Sequence, residues 1–282
     1  MSPQPPHADE LARFVRAALA EDVGRGDVTT RAIVDPQASG GATLVFREPG
    51  VVCGLPVLEE VLRTLDPRAV VTRVVDEGAA LPAAGEIARI TCSMAALLTG
   101  ERVALNVVGR LSGIATLTRR FAALVAGTGA TLLDTRKTTP GLRLLEKYAV
   151  RAGGGSNHRM GLDDGILIKD NHIVFAGSVR EAIARARRNA PPGLRVEVEV
   201  ETLEQLREAL AAGADMILLD NMPLALLREA VGITAGRVPL EASGGVSLES
   251  VRAIAQTGVT YVSAGALTHS ARSLDVSLEV NQ

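Results

Sequence analysis

The sequence predicts an α/β protein in two parts, an open α+β layer followed by short parallel strands that favour a barrel. In the first part, strand-like and helical segments follow one another without regular alternation. From Thr131 onward, short apolar strands alternate with helical stretches, as expected of parallel strands joined by crossovers. An open doubly wound sheet shares this alternation. The barrel is favoured because nearly every strand ends in a polar residue, and the carboxyl ends of barrel strands form the active-site face.

The first part begins, after a proline-rich start, with a helix predicted over residues 9–22, whose apolar side chains share one face. The loop EDVGRGDVTT ends this helix. An amphipathic helix, LPVLEEVLRTLD, lies between the first two predicted strands. A long Ala/Leu-rich helix is predicted from Met94 to about Ala126, with an interruption at Ser112-Gly113. Apolar runs bounded by Gly and Pro turns predict strands at residues 42–47, 70–75 and 86–91.

The second part directs polar side chains to the ends of its strands. The strands are predicted at TLLDT from residue 131, ILIK from 166, VEVEV from 196, MILLD from 216, PLEAS from 239 and TYVSA from 260. The polar residues at or just after their ends are Asp134, Arg136, Lys169, Glu199, Glu201, Asp220, Glu241, Ser243 and Ser263. Packing alone does not explain so many polar strand ends, so we expect the active site at this face.

The composition excludes classes of partner. The 282 residues include two Tyr, four Phe and no Trp, so Ala, Val, Leu and Ile must form the core. Binding of single-stranded nucleic acid by base stacking needs aromatic side chains, and binding to the phosphate backbone usually needs a pI above about 9. The formal net charge is only -2. We therefore expect no nucleic-acid partner.

The sequence indicates a soluble, cytoplasmic protein without a membrane partner. Charged residues interrupt every apolar run before it reaches the roughly 18 residues of a membrane span. The amino terminus lacks the apolar segment of a secretory signal. Cys53 and Cys92 lie far apart without a CxxC pair, which fits neither a disulfide framework nor a zinc site and favours a reducing compartment.

Basic and acidic residues are concentrated in different segments of the second part. Residues 135–162 contain six basic residues and His158 against one acid, whereas residues 196–220 contain seven acids against one base. A basic wall and an acidic wall at the same end of the predicted barrel suit an anionic substrate together with a hydroxyl-rich substrate that a metal bridges.

Some of these charges are expected at the surface and others inside. We interpret four helical positions as solvated: Arg143, Lys147, Glu204 and Glu208. In VEVEVE, by contrast, Glu197, Glu199 and Glu201 share one face because side chains alternate along a strand. The deeper ones must therefore be buried, and buried carboxylates need partners or cations.

The loop AGGGSNHRMGLDDGILIKDNH is the most informative segment. Each of its three successive glycines weakens a helix or strand by roughly 0.5 to 1 kcal/mol, so they indicate close backbone approach or unusual dihedrals beside His158 and Arg159. Arg presents a planar fork that matches a carboxylate through two hydrogen bonds. With Arg136, Lys137 and Lys169 near other strand ends, the pattern predicts an anion site.

Two loops of small residues follow the last two strands. They are SGG at 243–245 and SAGALTHS at 263–270. Backbone N–H groups of such loops, followed by a helix amino end, can bind phosphate, and barrels commonly hold phosphate after their last strands. Together the loops predict a phosphate site.

Several segments together resemble the quinolinate phosphoribosyltransferase family, also called carboxylating nicotinate-nucleotide pyrophosphorylases. They are EDVGRGDVTT, ERVALNVVGRLSGIAT, DTRKTTPGLRLLEKYAVRAGGGSNHRMGLDDGILIKDNH, VEVEVETLEQ, LLDNM, LEASGGV and SAGALTHS, between about Glu21 and Asp275. The resemblance implies an N-terminal open α/β sandwich, an antiparallel sheet with helices, and an incomplete α/β barrel of parallel strands. The implied bounds are 1–112 for the sandwich, 113–268 for the barrel and 269–282 for a tail that joins the first domain.

The resemblance also implies an activity in de novo NAD synthesis. The family transfers phosphoribosyl from phosphoribosyl pyrophosphate to quinolinate with Mg²⁺, and releases nicotinate mononucleotide, pyrophosphate and carbon dioxide. It implies a homodimer in which the first domain of one subunit covers the barrel of the other, so that subunits share active sites, with a hexamer as the alternative assembly.

Site residues follow from the resemblance position by position. Quinolinate would contact Arg136, His158, Arg159, Lys169 and the partner subunit's Arg102. Phosphoribosyl pyrophosphate would contact Lys137, Glu199, Asp220, Ser243, Gly244, Gly245, Ser263 and Gly265. The catalytic residues would be Lys137, Lys169, Glu199 and Asp220, and Mg²⁺ would be held by the diphosphate and by waters near Glu199 and Asp220, without a direct protein ligand. Ala152 and Gly109 depart from the Cys and Gln common in the family, but neither replaces a charged contact.

Two other functions fit parts of the pattern. Lys169 closes ILIK, and a desolvated lysine at a strand end could form the Schiff base of an aldolase-like barrel. The family also includes non-catalytic, molybdenum-transport-associated paralogues. The complete set of basic and acidic motif residues favours the transferase.

Overall fold

A computed structural model gives the architecture of the chain and describes residues 3–281. Residues 1, 2 and 282, which the expected domain bounds include, lie outside the described residues. The chain forms two compact units. The first contains the residues up to Arg119, Thr139–Gly154 and the chain from Ala271 onward; the second contains Arg120–Thr138 and Gly155–Ser270. The bounds 1–112, 113–268 and 269–282 stay a prediction.

Helices and strands follow one another along the whole described chain. In order they are α1 (Ala8–Val23), α2 (Val28–Ile33), β1 (Ser39–Phe46), β2 (Gly50–Val51), α3 (Leu55–Leu65), β3 (Val70–Arg73), β4 (Ala80–Leu81), β5 (Gly85–Ser93), α4 (Met94–Val125), β6 (Thr131–Leu133), α5 (Arg143–Gly153), β7 (Ile166–Ile168), α6 (Asp170–Ala176), α7 (Val179–Asn189), β8 (Val196–Val200), α8 (Leu203–Ala211), β9 (Met216–Asp220), α9 (Leu224–Thr234), β10 (Leu240–Ser243), α10 (Val251–Ala255), β11 (Tyr261–Ser263), α11 (Ala266–His269) and β12 (Val276–Asn281).

The first unit contains an antiparallel sheet with helices, which confirms the expected class. Its main sheet has the strand order β12-β1-β5-β3, and β2 and β4 form a separate pair. β1 buries every second side chain, including Leu44 and Phe46, as a strand with one covered face should. β12, at the end of the chain, pairs with β1 from Phe46 to Gly41.

Helix α4 runs without a break through Ser112 and Gly113, so the expected interruption there was wrong. Both residues serve packing. The buried Ser112 hydroxyl bonds the backbone of Cys53, receiving its N–H at 3.0 Å and donating to its carbonyl at 3.0 Å. A Cβ on Gly113 would lie 1.8 Å from the carbonyl oxygen of Arg272. Ser112 and Gly113 therefore allow backbone from other segments to pack closely against α4, and helix propensity alone does not reveal this role.

The expectation that Lys147 is solvated was also wrong. Lys147 and its neighbour Glu146 are fully buried on α5, whereas Glu204 is exposed as expected. Glu146 accepts hydrogen bonds from Arg110 Nη2 at 2.8 Å and from the Thr139 backbone at 3.1 Å. The mixed charge pattern of α5 is typical of a short surface helix. Only the chain that packs around it in the folded protein shows that it is buried.

The second unit contains six parallel strands in the order β6-β11-β10-β9-β8-β7. The last strand, β11, pairs with the first, β6, through residues 131–133 and 261–263. This cyclic strand order is that of a barrel. In a doubly wound sheet, by contrast, the order in which the chain adds its strands reverses at the centre of the sheet. β6 and β7 are not neighbours, so the barrel is incomplete. Beside β6 the gap is narrowed by Ser156, which forms a parallel bridge with Leu133.

Polar side chains begin two helices of the second unit, α7 and α8. Ser178 accepts the Glu181 N–H at 3.1 Å at the start of α7. Thr202 and Gln205 form a reciprocal capping box at the start of α8. These caps satisfy backbone N–H groups that the first helical turn leaves without partners, so α7 and α8 each start at a defined residue.

The core is aliphatic, as the composition predicts. In the second unit Val198, Ile217, Leu219 and Val262 are fully buried on neighbouring strands. Among residues 3–281, no helix combines the length and apolarity needed to cross a bilayer.

The close packing of Gly113 can be tested by adding a methyl group. We expect Gly113→Ala to lower the free energy of unfolding by about 1 to 3 kcal/mol, because the new Cβ collides with rigid backbone. Gly232→Ala is the matched control, because Gly232 lies in α9 and a Cβ at this position would meet no atom within 4 Å. It should stabilise by about 0.5 to 1 kcal/mol. Urea unfolding of both variants measures the difference, and equal effects would contradict the packing role.

Candidate active site

A cleft of about 720 Å³ opens at the carboxyl ends of the barrel strands. It is lined by every site residue that the resemblance implies except Arg102, namely Arg136, Lys137, His158, Arg159, Lys169, Glu199, Asp220, Ser243, Gly244, Gly245, Ser263 and Gly265. Of the polar strand-end residues, Asp134 and Glu201 are not part of this lining. Arg102 lies on α4 in the first unit, where it lines a groove of about 280 Å³ with the segment before β12. The structure therefore brings together groups from six strand ends, as the barrel hypothesis expects.

The basic wall of the cleft contains two neighbouring guanidinium groups. Arg159 donates through Nη1 to the Gly165 carbonyl at 2.8 Å. Partial burial, and then the nearby charge of Arg136, lower the pKa of Arg159. Two like charges held this close favour binding of an anion, because a carboxylate between them removes their repulsion.

The glycine-rich loop places His158 and Arg159 by close packing and hydrogen bonding. A Cβ on Gly153 would lie 2.5 Å from the Ala115 carbonyl, and Gly154 has a φ of 95°. Both predicted reasons for the glycines, close approach and an unusual dihedral, are therefore present.

Asp134, which is fully buried, fixes the segment after these glycines. Its carboxylate accepts the His158 N–H at 2.9 Å and the Asn157 Nδ2–H at 2.5 Å. Buried carboxylates are stable when they receive such hydrogen bonds. This strand-end residue therefore orients the loop that carries the basic wall.

The acidic wall comes from β8 and β9. Along β8, Glu197 is buried, Glu199 is partly buried and Glu201 is exposed, which confirms that the deeper glutamates point inward. Glu199 accepts a hydrogen bond from Lys169 Nζ at 2.7 Å. On β9, Asp220 accepts one from Asn221 Nδ2 at 2.7 Å. Basic and acidic walls thus meet across one cleft.

The two small-residue loops lie side by side along the cleft. Gly244 and Gly245 have φ values of 96° and 58°, and a Cβ on Gly244 would lie 2.2 Å from Asn221 Oδ1. Only glycine fits such a turn. A Cβ on Gly265 would lie 3.0 Å from Lys137 Cδ. The expected helix amino end is short, because α11 has four residues, so the loop backbone is the better phosphate-binding element.

Four further polar residues line the cleft although the family resemblance assigned them no substrate contact. They are Thr135, Asn221, Glu241 and His269. Glu241 was already among the polar strand ends, and Thr135 and Asn221 lie inside motifs that were singled out, DTRK and LLDNM, so adjacency to a named residue was an available signal for these two. His269 also lies inside a segment that was singled out, SAGALTHS, and the short helix α11 carries it at the cleft.

The Schiff-base alternative requires a desolvated Lys169. The Lys169 side chain is 46% exposed and pairs with Glu199. Both features differ from the desolvated environment that a nucleophilic Schiff-base lysine requires. The geometry therefore favours an ionic role for Lys169.

Comparison with protein families is consistent with this geometry. A model of the quinolinate phosphoribosyl transferase N-terminal domain matches residues 27–112, and one of its C-terminal domain matches residues 114–279. The chain belongs to the quinolinate phosphoribosyltransferase family. Together the two matches span most of the chain, so membership in this family covers both units.

Individual members of the quinolinate phosphoribosyltransferase family are similar over nearly their full length. The probable nicotinate-nucleotide pyrophosphorylase [carboxylating] of Bacillus subtilis is 47% identical over 96% of this chain and 93% of its own. The corresponding protein of Mycobacterium leprae is 48% identical, over 96% and 98%. The crystal structure of NadC from Streptococcus pyogenes superposes with a TM-score of 0.93 at 42% identity, over 99% of this chain and 100% of that one.

Removing the Arg159 guanidinium tests the basic wall. We expect Arg159→Ala to raise the KM for the dicarboxylate quinolinate roughly 10- to 150-fold, because a charge-assisted pair contributes about 1.5 to 3 kcal/mol. Steady-state kinetics against each substrate measure this effect. Arg188→Ala is the matched control, because Arg188 is an exposed arginine on α7, away from the cleft lining. An unchanged KM for quinolinate in Arg159→Ala would remove this residue from the site.

Proposed function

We propose that this chain transfers phosphoribosyl from phosphoribosyl pyrophosphate to quinolinate, with loss of carbon dioxide, to give nicotinate mononucleotide and pyrophosphate in de novo NAD synthesis. The observation that carries the proposal is a single cleft with a basic wall, an acidic wall and two glycine-containing loops. The names of the similar proteins support the same reaction and favour an enzyme over a non-catalytic paralogue.

Quinolinate would bind at the basic wall. Arg136 and Arg159 would face its two carboxylates, with Lys169 and His158 at the edge of the same surface. Few aromatic side chains are available to stack on the pyridine ring. The ring would therefore be positioned through its carboxylates, which makes two carboxylates a requirement for good binding.

Phosphoribosyl pyrophosphate would bind across the loops and the acidic wall. The backbone and hydroxyls at Ser243 to Gly245 and at Ser263 and Gly265 would hold the 5′-phosphate. Glu199 and Asp220 would accept hydrogen bonds from the ribose hydroxyls. Lys137 would lie beside the diphosphate. This arrangement would place the C1 carbon of the ribose between the two walls.

The first chemical stage joins the ring to the ribose. The pyridine nitrogen donates its electron pair to C1, and the C1–O bond to pyrophosphate breaks with its electrons leaving on the oxygen. Carboxylates at Glu199 and Asp220 would stabilise the positive charge that develops on the ribose. Lys137 would neutralise the leaving group. No protein nucleophile is needed.

The second stage releases carbon dioxide. The ring nitrogen is now cationic, so the bond between C2 and its carboxylate can break with the electron pair remaining at C2 beside that charge. Water then supplies the proton that C2 requires. The residues of the basic wall would orient and desolvate the departing carboxylate.

Mg²⁺ is proposed as the cofactor. It prefers oxygen ligands, keeps several waters and commonly binds through substrate phosphates plus one or two carboxylates. The cleft fits this chemistry, because Glu199 and Asp220 present carboxylate oxygens beside the proposed phosphate positions. These two residues would hold the ion through water, and the bound ion would supply positive charge to the leaving diphosphate.

The proposed assembly is a homodimer with shared active sites, with a hexamer as the alternative. Arg102 supports this, because it lies outside the cleft lining although the family pattern assigns it to quinolinate. The partner subunit's Arg102 would complete the basic wall.

A cytoplasmic location is also proposed, since Cys53 and Cys92 are both free and buried, as suits a reducing compartment.

The reaction is tested by incubating the protein with quinolinate, phosphoribosyl pyrophosphate and Mg²⁺. We expect equal amounts of nicotinate mononucleotide and carbon dioxide, measured by chromatography and by release of label from the 2-carboxylate. Nicotinate, which lacks that carboxylate, should react at least roughly 100-fold less well, because it leaves buried charges unpaired. If nicotinate served equally well, the two-carboxylate assignment would be wrong.

Removal of the metal tests the cofactor. Treatment with EDTA should abolish product formation, and added Mg²⁺ should restore it, because the leaving diphosphate would otherwise carry its charge uncompensated. Quinolinate binding without the second substrate, followed by calorimetry, should be unaffected. Full activity in EDTA would contradict the proposed cofactor while leaving the substrate assignment intact.

A further inference from the structure

The segment that carries Lys137 into the cleft has no regular secondary structure. It begins where β6 ends at Leu133, and the next helix starts only at Arg143. Lys137 is exposed, so burial does not hold its side chain. A lysine side chain has many accessible rotamers, and fixing one of them when a ligand binds costs free energy. Contacts that hold Lys137 before the substrate arrives reduce this cost.

The turn after β11 contacts Lys137 at two points. The Thr268 hydroxyl donates a hydrogen bond to the Lys137 carbonyl at 2.8 Å. A Cβ on Gly265, three residues before Thr268, would lie 3.0 Å from Lys137 Cδ, so the aliphatic part of Lys137 passes close to Gly265. The backbone and the side chain of Lys137 are thus both in contact with one short turn.

The Thr268 hydroxyl favours an acceptor outside its own helix. Thr268 is fully buried on α11, and its Oγ1 lies 3.2 Å from the Gly265 carbonyl, the kind of local acceptor that a helical threonine commonly uses. A hydroxyl has one proton to donate, and the Lys137 carbonyl is the nearer acceptor. The hydrogen bond therefore links two segments that lie 131 residues apart in the sequence.

Helix α11 accounts for the double contact. Residues three positions apart lie on the same face of a helix, so the turn that starts at Gly265 places Thr268 beside it. Gly265 leaves room for the Lys137 side chain, and Thr268 holds the Lys137 backbone. One helical turn is enough to supply both groups.

The pairing of β6 with β11 brings the two segments together. Its register places Leu133 opposite Ser263, and the Ala264 N–H continues the pairing by donating to the Leu133 carbonyl at 3.0 Å. The bond from Thr268 to Lys137 lies a few residues further along both segments. Contact between the segments thus extends from the strands into the two loops.

We propose that Thr268 is a positioning residue, whose buried hydroxyl fixes Lys137 beside the loop that binds the 5′-phosphate. Thr268 is not part of the cleft lining, so it acts through Lys137. It sets the spacing between the lysine that neutralises the diphosphate and the backbone that holds the 5′-phosphate, which are two ends of one substrate. The effect on substrate rests on the proposed function.

A buried threonine could also serve packing alone, and two substitutions separate these roles. Thr268→Val keeps the buried methyl group and removes the hydroxyl, whereas Thr268→Ser keeps the hydroxyl and removes that methyl group. Each should lower Tm by roughly 2 to 4 °C, because a buried hydrogen bond and a buried methyl group contribute similar free energies. Packing alone therefore predicts similar activities for the two variants.

Positioning predicts different activities. In Thr268→Val, kcat/KM for phosphoribosyl pyrophosphate should fall roughly 10- to 100-fold, because a misplacement of about 1 Å can cost about 100-fold. Thr268→Ser should stay close to the parent protein. The KM for quinolinate should change less in both variants, because Arg136 lies between β6 and the contact at Lys137 along the chain. Steady-state kinetics against each substrate measure these effects.

Thr234→Val is the matched control. Thr234 lies in α9, is 1% exposed, and its buried hydroxyl has no hydrogen-bond partner among the described residues. The same substitution at this position should leave the kinetic constants unchanged. A loss of activity equal to that of Thr268→Val would show that removing any buried hydroxyl has this effect, and would contradict the specific role of Thr268.

Two further kinetic results would overturn the proposal. One is a parental kcat/KM for phosphoribosyl pyrophosphate in Thr268→Val despite a lowered Tm, which would leave packing as the role of Thr268. The other is an equal loss of activity in Thr268→Ser, which would show that the hydroxyl is not the group that matters.

Two other measurements do not depend on catalysis. Amide hydrogen exchange of residues 135–140, followed by mass spectrometry, should be faster in Thr268→Val than in the parent or in Thr268→Ser, because the Lys137 carbonyl loses its donor. Calorimetric titration with pyrophosphate and Mg²⁺ should show weaker binding in Thr268→Val than in the other two proteins. Unchanged exchange or equal pyrophosphate binding in Thr268→Val would overturn the proposal.

These measurements also distinguish two kinds of failure. If the parent formed no nicotinate mononucleotide, the proposed function would fail. Faster exchange of residues 135–140 in Thr268→Val alone would still support the role of Thr268 in holding Lys137, and unchanged exchange would refute it.

Discussion

The pairing of β11 with β6 is the constraint on which the second unit depends. It joins the last strand of the chain's parallel series to the first, so the carboxyl ends of six strands surround one cleft. Without this pairing β6 would not belong to the sheet, and Arg136, which follows β6, would be separated from the groups at the other five strand ends. Side chains far apart in sequence could then not bind one small molecule together.

The absence of pairing between β6 and β7 affects the site just as directly, because it leaves space for another segment of the chain. The space beside β6 receives the segment after the three glycines, and Asp134 holds that segment through the His158 N–H. A seventh strand in this position would exclude it. The opening of the barrel is therefore what allows His158 to reach the interior and Arg159 to reach the cleft. Fold and site are connected at this gap.

Electrostatics in the second unit follow from the same placement. The basic residues come mainly from the segments that follow β6 and β7, the two strands beside the gap. The acidic residues come from β8, β9 and β10, which lie between β7 and β11 in the strand order. Near-neutral net charge conceals this separation. Buried carboxylates in this arrangement need hydrogen-bond donors or positively charged neighbours.

The sequence by itself determined the parallel strands, the polar strand ends, the inward face of VEVEV and the glycine-rich loop, because each depends on local periodicity or backbone freedom. Only the tertiary structure decided that β11 pairs with β6, that α4 passes Gly113 unbroken, and that Lys147 is buried. Those features depend on segments distant in sequence. The same holds for Glu241, whose position at a strand end was visible in the sequence, but whose burial beside Glu197 and His158 depends on the folded barrel.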